Sequence, residues 1–208
     1  MLELLAPAGS MEALHAAVQN GANAVYLGCG QFNARQSAKN FTPQALTEAI
    51  KYCHIRGVAV HLTLNTLVSD KETQEATALI RYAANAGVDA FIVQDLGIIQ
   101  LCRQIAPHIP LHGSTQMTVH SLAGVQFCAG LGMSRVVLSR ELSREEIRYI
   151  CQNSPIEIEV LATARCVWAI PASAICPQPS AAVPATGVAA PSPAVKAMAT
   201  AVGRTSIL

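Results

Sequence analysis

Ala90-Phe91-Ile92-Val93-Gln94-Asp95 gives way to a helix-period run over Ile98–Ile105, and that run to Pro110-Leu111-His112-Gly113-Ser114. An apolar, β-branched stretch, an amphipathic stretch and a second short β stretch within residues 90–114 predict strand, helix, strand. Two strands joined through a helix run parallel, because a parallel pair needs a crossover. The unit recurs on both sides. Strand-like segments start near residues 3, 24, 58, 90, 110, 135 and 156. The intervening helices are predicted over Met11–Gln19, from Thr42-Pro43 to Arg56, from Ser69 to Gly87, over Ile98–Ile105, from Ser121 to Gly130, and after Ser143-Arg144-Glu145-Glu146, which has the spacing of a capping box. Strict alternation at this pitch predicts an α/β fold, a parallel (β/α) TIM-barrel-like architecture with about seven of its eight units, hence incomplete. A doubly wound open sheet is the runner-up, but no G-x-G-x-x-G follows the first strand.

The chain holds 14 Lys+Arg against 13 Asp+Glu in 208 residues, but these averages hide a break. Residues 1–160 carry all 13 acids and 11 bases, a net −2, so they present no nucleic-acid footprint. Residues 161–208 carry Arg165, Lys196 and Arg204, no acid, 14 Ala and six of the 11 Pro. Two regions are therefore expected: a partial barrel over 1–160 and an Ala/Pro-rich tail over 161–208, largely disordered and unsuited to supply the missing strand, which would leave the first and seventh strands with open edges. No apolar run is long enough for a membrane span, and no basic segment precedes an apolar stretch at the N-terminus, so the expected location is cytoplasmic.

In a barrel of this kind chemistry belongs to the loops after the strand C-termini. The polar residues there are Arg35 after the second strand, Asn65 after the third, Gln94 and Asp95 after the fourth, His112, Ser114 and Gln116 at the fifth, and Arg140 with Glu141 after the sixth. Asp95, His112, Ser114 and Glu141 are the candidates for catalysis; Arg35, Asn65, Gln94, Gln116 and Arg140 are the candidates for substrate binding. Each has a plainer reading as well: Asn65 and Asp95 as turn or cap residues, Arg140–Glu141 as a solvated pair, His112 and Ser114 as hydrogen-bonded structure. Cys29, Cys53, Cys102, Cys128 and Cys151 lack C-x-x-C spacing, so neither a metal nor an iron–sulfur site is expected from them.

Glu3-Leu4-Leu5-Ala6-Pro7-Ala8-Gly9, Gly21-Ala22-Asn23-Ala24-Val25-Tyr26-Leu27-Gly28, Asn33-Ala34-Arg35, His112-Gly113-Ser114-Thr115-Gln116 and Arg140-Glu141-Leu142 closely resemble the collagenase-like peptidase family U32, in order across residues 2–160. The family more often has Asp at the position of Asn23, and Ala or Val at that of Gly113. The resemblance implies a TIM-barrel-like domain and the name of a protease, hydrolase by class. It also implies relatives that hydroxylate RNA bases or a small aromatic quinone precursor, so the expected partner of an intact parent is a small-molecule or RNA substrate. Those relatives use a [4Fe–4S] cluster held by four Cys beyond the seventh strand. The family's segments there, His-Gly-Ala-Leu-Cys, Tyr-Ser-Gly-Gln-Cys, Gly-Gly-Arg-Ser-Gly-Asn-Arg-Gly and Gln-Pro-Cys-Arg, are missing from this chain. No cofactor is therefore expected in it.

The genetic code offers a reason. If the tail is the family segment read one nucleotide late, each lost residue is encoded by the last base of one codon and the first two of the next. Trp168 before Ala169 then forces GGC, glycine. Val167 allows only Cys or Arg, Thr163 to Cys166 allow His-Gly-Ala-Leu, and Ala169–Ala174 allow Gly-Tyr-Ser-Gly-Gln-Cys. Ala181–Val188 and Pro191–Val195 permit the remaining segments. The expectation is a frameshift near residue 161, with Cys166 and Cys176 products of the wrong frame. The chain would then be an inactive fragment; the alternatives are a genuine hydrolase using His112 and Ser114, or Asp95 with a bound metal, and a non-catalytic or decayed product.

Overall fold

The computed structural model describes residues 3–34, 40–161 and a strand at 205–207. Seven strands and six helices alternate as the repeat predicts: β1 (Glu3–Pro7), α1 (Met11–Gln19), β2 (Ala24–Gly28), α2 (Pro43–His54), β3 (Ala59–Leu64), α3 (Thr73–Ala86), β4 (Ala90–Val93), α4 (Leu96–Ile105), β5 (Leu111–Gly113), α5 (Leu122–Gly130), β6 (Arg135–Val137), α6 (Arg144–Asn153) and β7 (Glu157–Val160). All neighbouring strands are parallel and follow chain order. The helix starts are set by local chemistry. Ser10, Thr42, Asp95, Ser121 and Ser143 each accept a backbone N–H of the first turn, and Ser143 with Glu146 forms the anticipated capping box. One start is displaced. Ser69 caps no helix; its hydroxyl and N–H both donate to Glu72, and α3 begins at Thr73. Gly87 ends α3 at φ 92°, the left-handed conformation that a Cβ disfavours.

The expectation of open edges is corrected. Thr205–Ile207 forms β8, parallel to and hydrogen-bonded between β7 and β1, so the strands close into a barrel. Proline does not prevent this, because the last one in the chain is Pro193, and a Thr-Ser-Ile run with β-branched ends suits a short ladder. The incompleteness lies in the helical layer: among the described residues no helix follows β7 or β8. Leu4, which faces outward from β1, is accordingly 44% exposed. The remaining stretch of the tail, where disorder is expected, lies outside the described residues.

Two compartments result from strand alternation. Outward residues such as Val60, Leu62, Phe91 and Val93 join Ile80, Ile98 and Leu46 of the helices in one apolar core between sheet and helices. The inward residues are unusually polar. Register places Thr63, Ile92, His112, Arg135 and Glu157 on one face, with Glu159 and Glu3 joined to it through β8. A barrel interior is usually filled by branched aliphatic side chains.

Candidate functional site

At the C-terminal ends of the strands, three of the anticipated residues meet. Asn65, next after β3, donates through Nδ2 to Gln116 Oε1 at 2.9 Å and reaches Ser114 Oγ at 3.4 Å. Ser114 Oγ donates to the same Gln116 oxygen at 2.5 Å, and Gln116 N–H returns a bond to Ser114 Oγ at 3.3 Å. Asn65 Oδ1 accepts from Ala34 N–H at 3.1 Å, which fastens the loop after β2 to the same cluster. That loop approaches closely because Gly28 has no side chain: a Cβ there would stand 2.6 Å from Asn33 Cγ. The β4 backbone holds Ser114, whose N–H donates to Val93 O at 2.8 Å, and a short 3-10 turn over Thr115–Met117 presents Gln116 to solvent. Gln94 is half-buried at the end of β4. Ser139, which the sequence reading did not single out, is buried two residues beyond Val137 with its hydroxyl unpartnered.

The other candidates are placed elsewhere. Asp95 is consumed as a cap: Oδ1 accepts Ile98 N–H at 3.0 Å, and Oδ2 accepts Val68 N–H at 3.4 Å. Arg140 and Glu141 lie in an exposed turn and make no hydrogen bond or ion pair among the described residues. Arg35 lies outside the described residues. His112 does not pair with Ser114. It sits lower in the barrel, 5% exposed, with its ring edge-on to His61 at 4.9 Å between centroids. Burial, then the neighbouring His61 and Arg135, holds its pKa well below the ordinary histidine value, so the imidazole is neutral. The hydrogen-bonded cluster at the rim therefore consists of neutral amides and a hydroxyl, and among the described residues no base is hydrogen-bonded to Ser114.

Below the rim lies an ionic cluster that the sequence reading missed. Arg135 donates to Glu3 from Nη1 (3.1 Å) and Nη2 (2.8 Å), and to Glu157 Oε2 from Nε (3.0 Å) and Nη2 (2.7 Å). A usable signal exists: Glu157 and Glu159 occupy alternate positions of a strand whose other residues are apolar, so both carboxylates must face one side.

The described cysteines do not assemble into a centre. Cys29, Cys53, Cys102 and Cys128 are buried as free thiols, with Cys151 half-buried, and burial raises the thiol pKa of Cys29 and Cys53 to about 11. Among the described residues no group of three or more His, Cys, Asp or Glu is arranged to hold a metal ion. The described cysteines thus do not fit a four-thiolate iron–sulfur cluster.

The model of peptidase family U32 matches residues 9–171. The chain belongs to peptidase family U32. Over 157 residues it is 37% identical to the tRNA hydroxylation protein P1 of Bacillus subtilis, covering 76% of this chain and 37% of that protein. Over 158 residues it is 39% identical to the 23S rRNA 5-hydroxycytidine C2501 synthase of Escherichia coli, covering 76% and 24%. A Porphyromonas gingivalis relative named collagenase is 34% identical over 149 residues, covering 71% and 35%. Among solved structures, the U32 peptidase Mk0906 superposes with a TM-score of 0.66 at 14% identity, covering 79% of this chain and 70% of that one, a likeness of fold. The chain spans 24% to 39% of the length of the curated relatives it matches. For the two positions where it departs from the family habit, the structure supplies a local account. Asn23 Oδ1 accepts Leu4 N–H at 2.9 Å, a role that an Asp oxygen also fills. Gly113 packs against Met133, Val136 and Met117, and a Cβ would come within 3.1–3.3 Å of all three.

Proposed function

We propose that this U32 chain is the barrel portion of a cytoplasmic enzyme that hydroxylates RNA bases, and that its strand-end rim recognises the base. The observation that carries this reading is the neutral Asn65–Ser114–Gln116 cluster: amides and hydroxyls read the edge of an uncharged heterocycle, as proteins do with unstacked RNA bases. The names of the tRNA and rRNA relatives support it. A net charge of −2 over residues 1–160 offers little to phosphates, so affinity for the RNA backbone belongs to other parts of the whole protein. The [4Fe–4S] centre implied by the resemblance has no place among the described residues; the barrel's own contribution is to bind and orient.

The test is binding of a pyrimidine nucleoside to the full chain by calorimetry. Gln116→Ala should weaken binding about tenfold, the loss of one hydrogen bond to the base. Asp95→Ala should leave binding unchanged while lowering stability to urea by about 1 kcal/mol, as for a lost N-cap. The collagenase-named relative favours a peptidase as the second reading. Peptide cleavage that disappears in Ser114→Ala, together with no nucleoside binding, would establish that reading in place of ours.

We also propose that the tail beyond residue 161 is the family's four-cysteine segment read out of frame. Nucleotide sequence across codons 155–165 should show a single-base indel relative to family genes. An unbroken frame in independent reads, with no relative continuing in the other frame, would refute it.

A further inference from the structure

Charge counting inside the barrel leads beyond the rim. Arg135, on β6, is the cation that faces Glu3 of β1 and Glu157 and Glu159 of β7. From β3 and β5 the facing titratable groups are His61 and His112, and from β2 Tyr26, which is in register with His61. The strand β4 contributes Ala90 and Ile92 on this face, and Asp89 lies just before it. Glu3 and Glu157 already outnumber the single guanidinium, so a third ionised carboxylate would be costly wherever it is shut away from water.

The three carboxylates are not equivalent. Glu3 and Glu157 hold hydrogen bonds of 2.7–3.1 Å to the guanidinium, and their side chains are 30% and 46% exposed. Glu159 is 0% exposed, and neither of its oxygens has a hydrogen-bond partner. Its nearest cation, Arg135 Nη1, stands at 3.6 Å from Oε2, an ion-pair distance too long for a hydrogen bond. His61 and His112 are also more than nine-tenths buried, each with an unpartnered Nδ1. Both line a cavity of about 870 Å³ at the N-terminal ends of β4–β7, opposite the rim, with Arg135 and Glu157. The cavity is roomy and polar enough for ordered water to reach them.

We propose that Glu159 is a buried proton-binding site that keeps its proton in the folded barrel well above the pH at which an exposed glutamate ionises, so that while it is protonated Arg135 has only Glu3 and Glu157 to balance. The direction agrees with the surroundings. Burial pushes the Glu159 pKa up, Arg135 pulls it down, Glu3 pushes it up again, and the result is about 7. A folded-state pKa raised above the ordinary 4.5 gives stability that is fully present below 4.5 and is lost as pH rises through about 7. The histidines act in the opposite sense. His61, lowered to about 4 by burial and then by Arg135, gives stability present above its ordinary 6.5 and lost as pH falls towards 4.

Two measurements on the full chain test the assignment. Carbon-13 NMR of glutamate carboxyls should show one resonance titrating near pH 7 in the wild-type chain and absent in Glu159→Gln. Urea unfolding across pH should show the folding constant of Glu159→Gln, divided by that of wild type, rising about tenfold per pH unit from about 4.5 to about 7 and flat above. The histidine contribution is common to both proteins and cancels in this ratio. If every glutamate of the wild type has titrated by about pH 5.5, or if the ratio does not change with pH, Glu159 is ionised and the proposal falls. Should Glu159→Gln fail to fold, the wild-type NMR titration alone decides.

Discussion

Replacing Arg135 by leucine should destabilise the barrel by about 3 kcal/mol in urea unfolding at pH 8. The substitution keeps comparable apolar bulk but removes the guanidinium that Glu3 and Glu157 grip through four hydrogen bonds and that stands 3.6 Å from Glu159. Stripping one partner from a buried ion pair costs roughly 3–5 kcal/mol. The lower end applies here, because the side chains of Glu3 and Glu157 are 30% and 46% exposed and can rehydrate. The deficit should narrow on acidification. Burial raises the Glu3 pKa, but its hydrogen bond and charge pairing with Arg135 outweigh this, so it ends below the ordinary value. Stability from that pairing is present above the unfolded-state pKa and lost as pH falls. A loss below 1 kcal/mol, unchanged with pH, would mean that aliphatic packing serves this position as well as the ions do.

The outer compartment makes a second and equally large demand. Phe91→Ala should cost about 3–5 kcal/mol, read from the urea midpoint at constant slope, because a fully buried aromatic side chain leaves both lost transfer energy and an unfilled cavity. Phe91 is 0% exposed, the bulkiest among the fully buried side chains, and lies on the outward face of β4, where the sheet meets the helical layer. Phe91→Leu should recover more than half of the loss. A cost under 1 kcal/mol for the alanine variant would show that the helices collapse onto the vacated space.

Much of the outer compartment was readable from the chain before its coordinates. Leu62 and Leu64 alternate with Thr63, and the helix caps Thr42, Ser121 and Ser143 announce themselves by residue type and position. What escaped depends on depth and on distant partners. His112 and Ser114 lie on the same face, as spacing requires, but two residues of strand separate side chains by roughly 6.6 Å along the barrel. One therefore belongs to the interior with His61 and the other to the rim with Gln116. Asp95 carries the right chemistry for catalysis, yet it stands immediately before α4, where the first-turn N–H groups claim its carboxylate. Arg135 was not singled out, because nothing local reveals that Glu3 will lie opposite it. The closing strand was illegible for a different reason: three residues, Thr205–Ile207, carry no periodicity of their own.

The Glu3–Arg135 contact also bears on the order in which the chain can assemble. Its partners are 132 residues apart, so a chain leaving the ribosome presents its first strand long before the guanidinium that neutralises it has been synthesised. Early α/β units can gather their outward apolar faces as they emerge. The inward charges have no such local resolution and must wait for β6 and β7. Ring closure is thereby deferred until β6 and β7 have emerged, and the salt cluster acts as a late latch on a structure whose outer layer has already begun to pack.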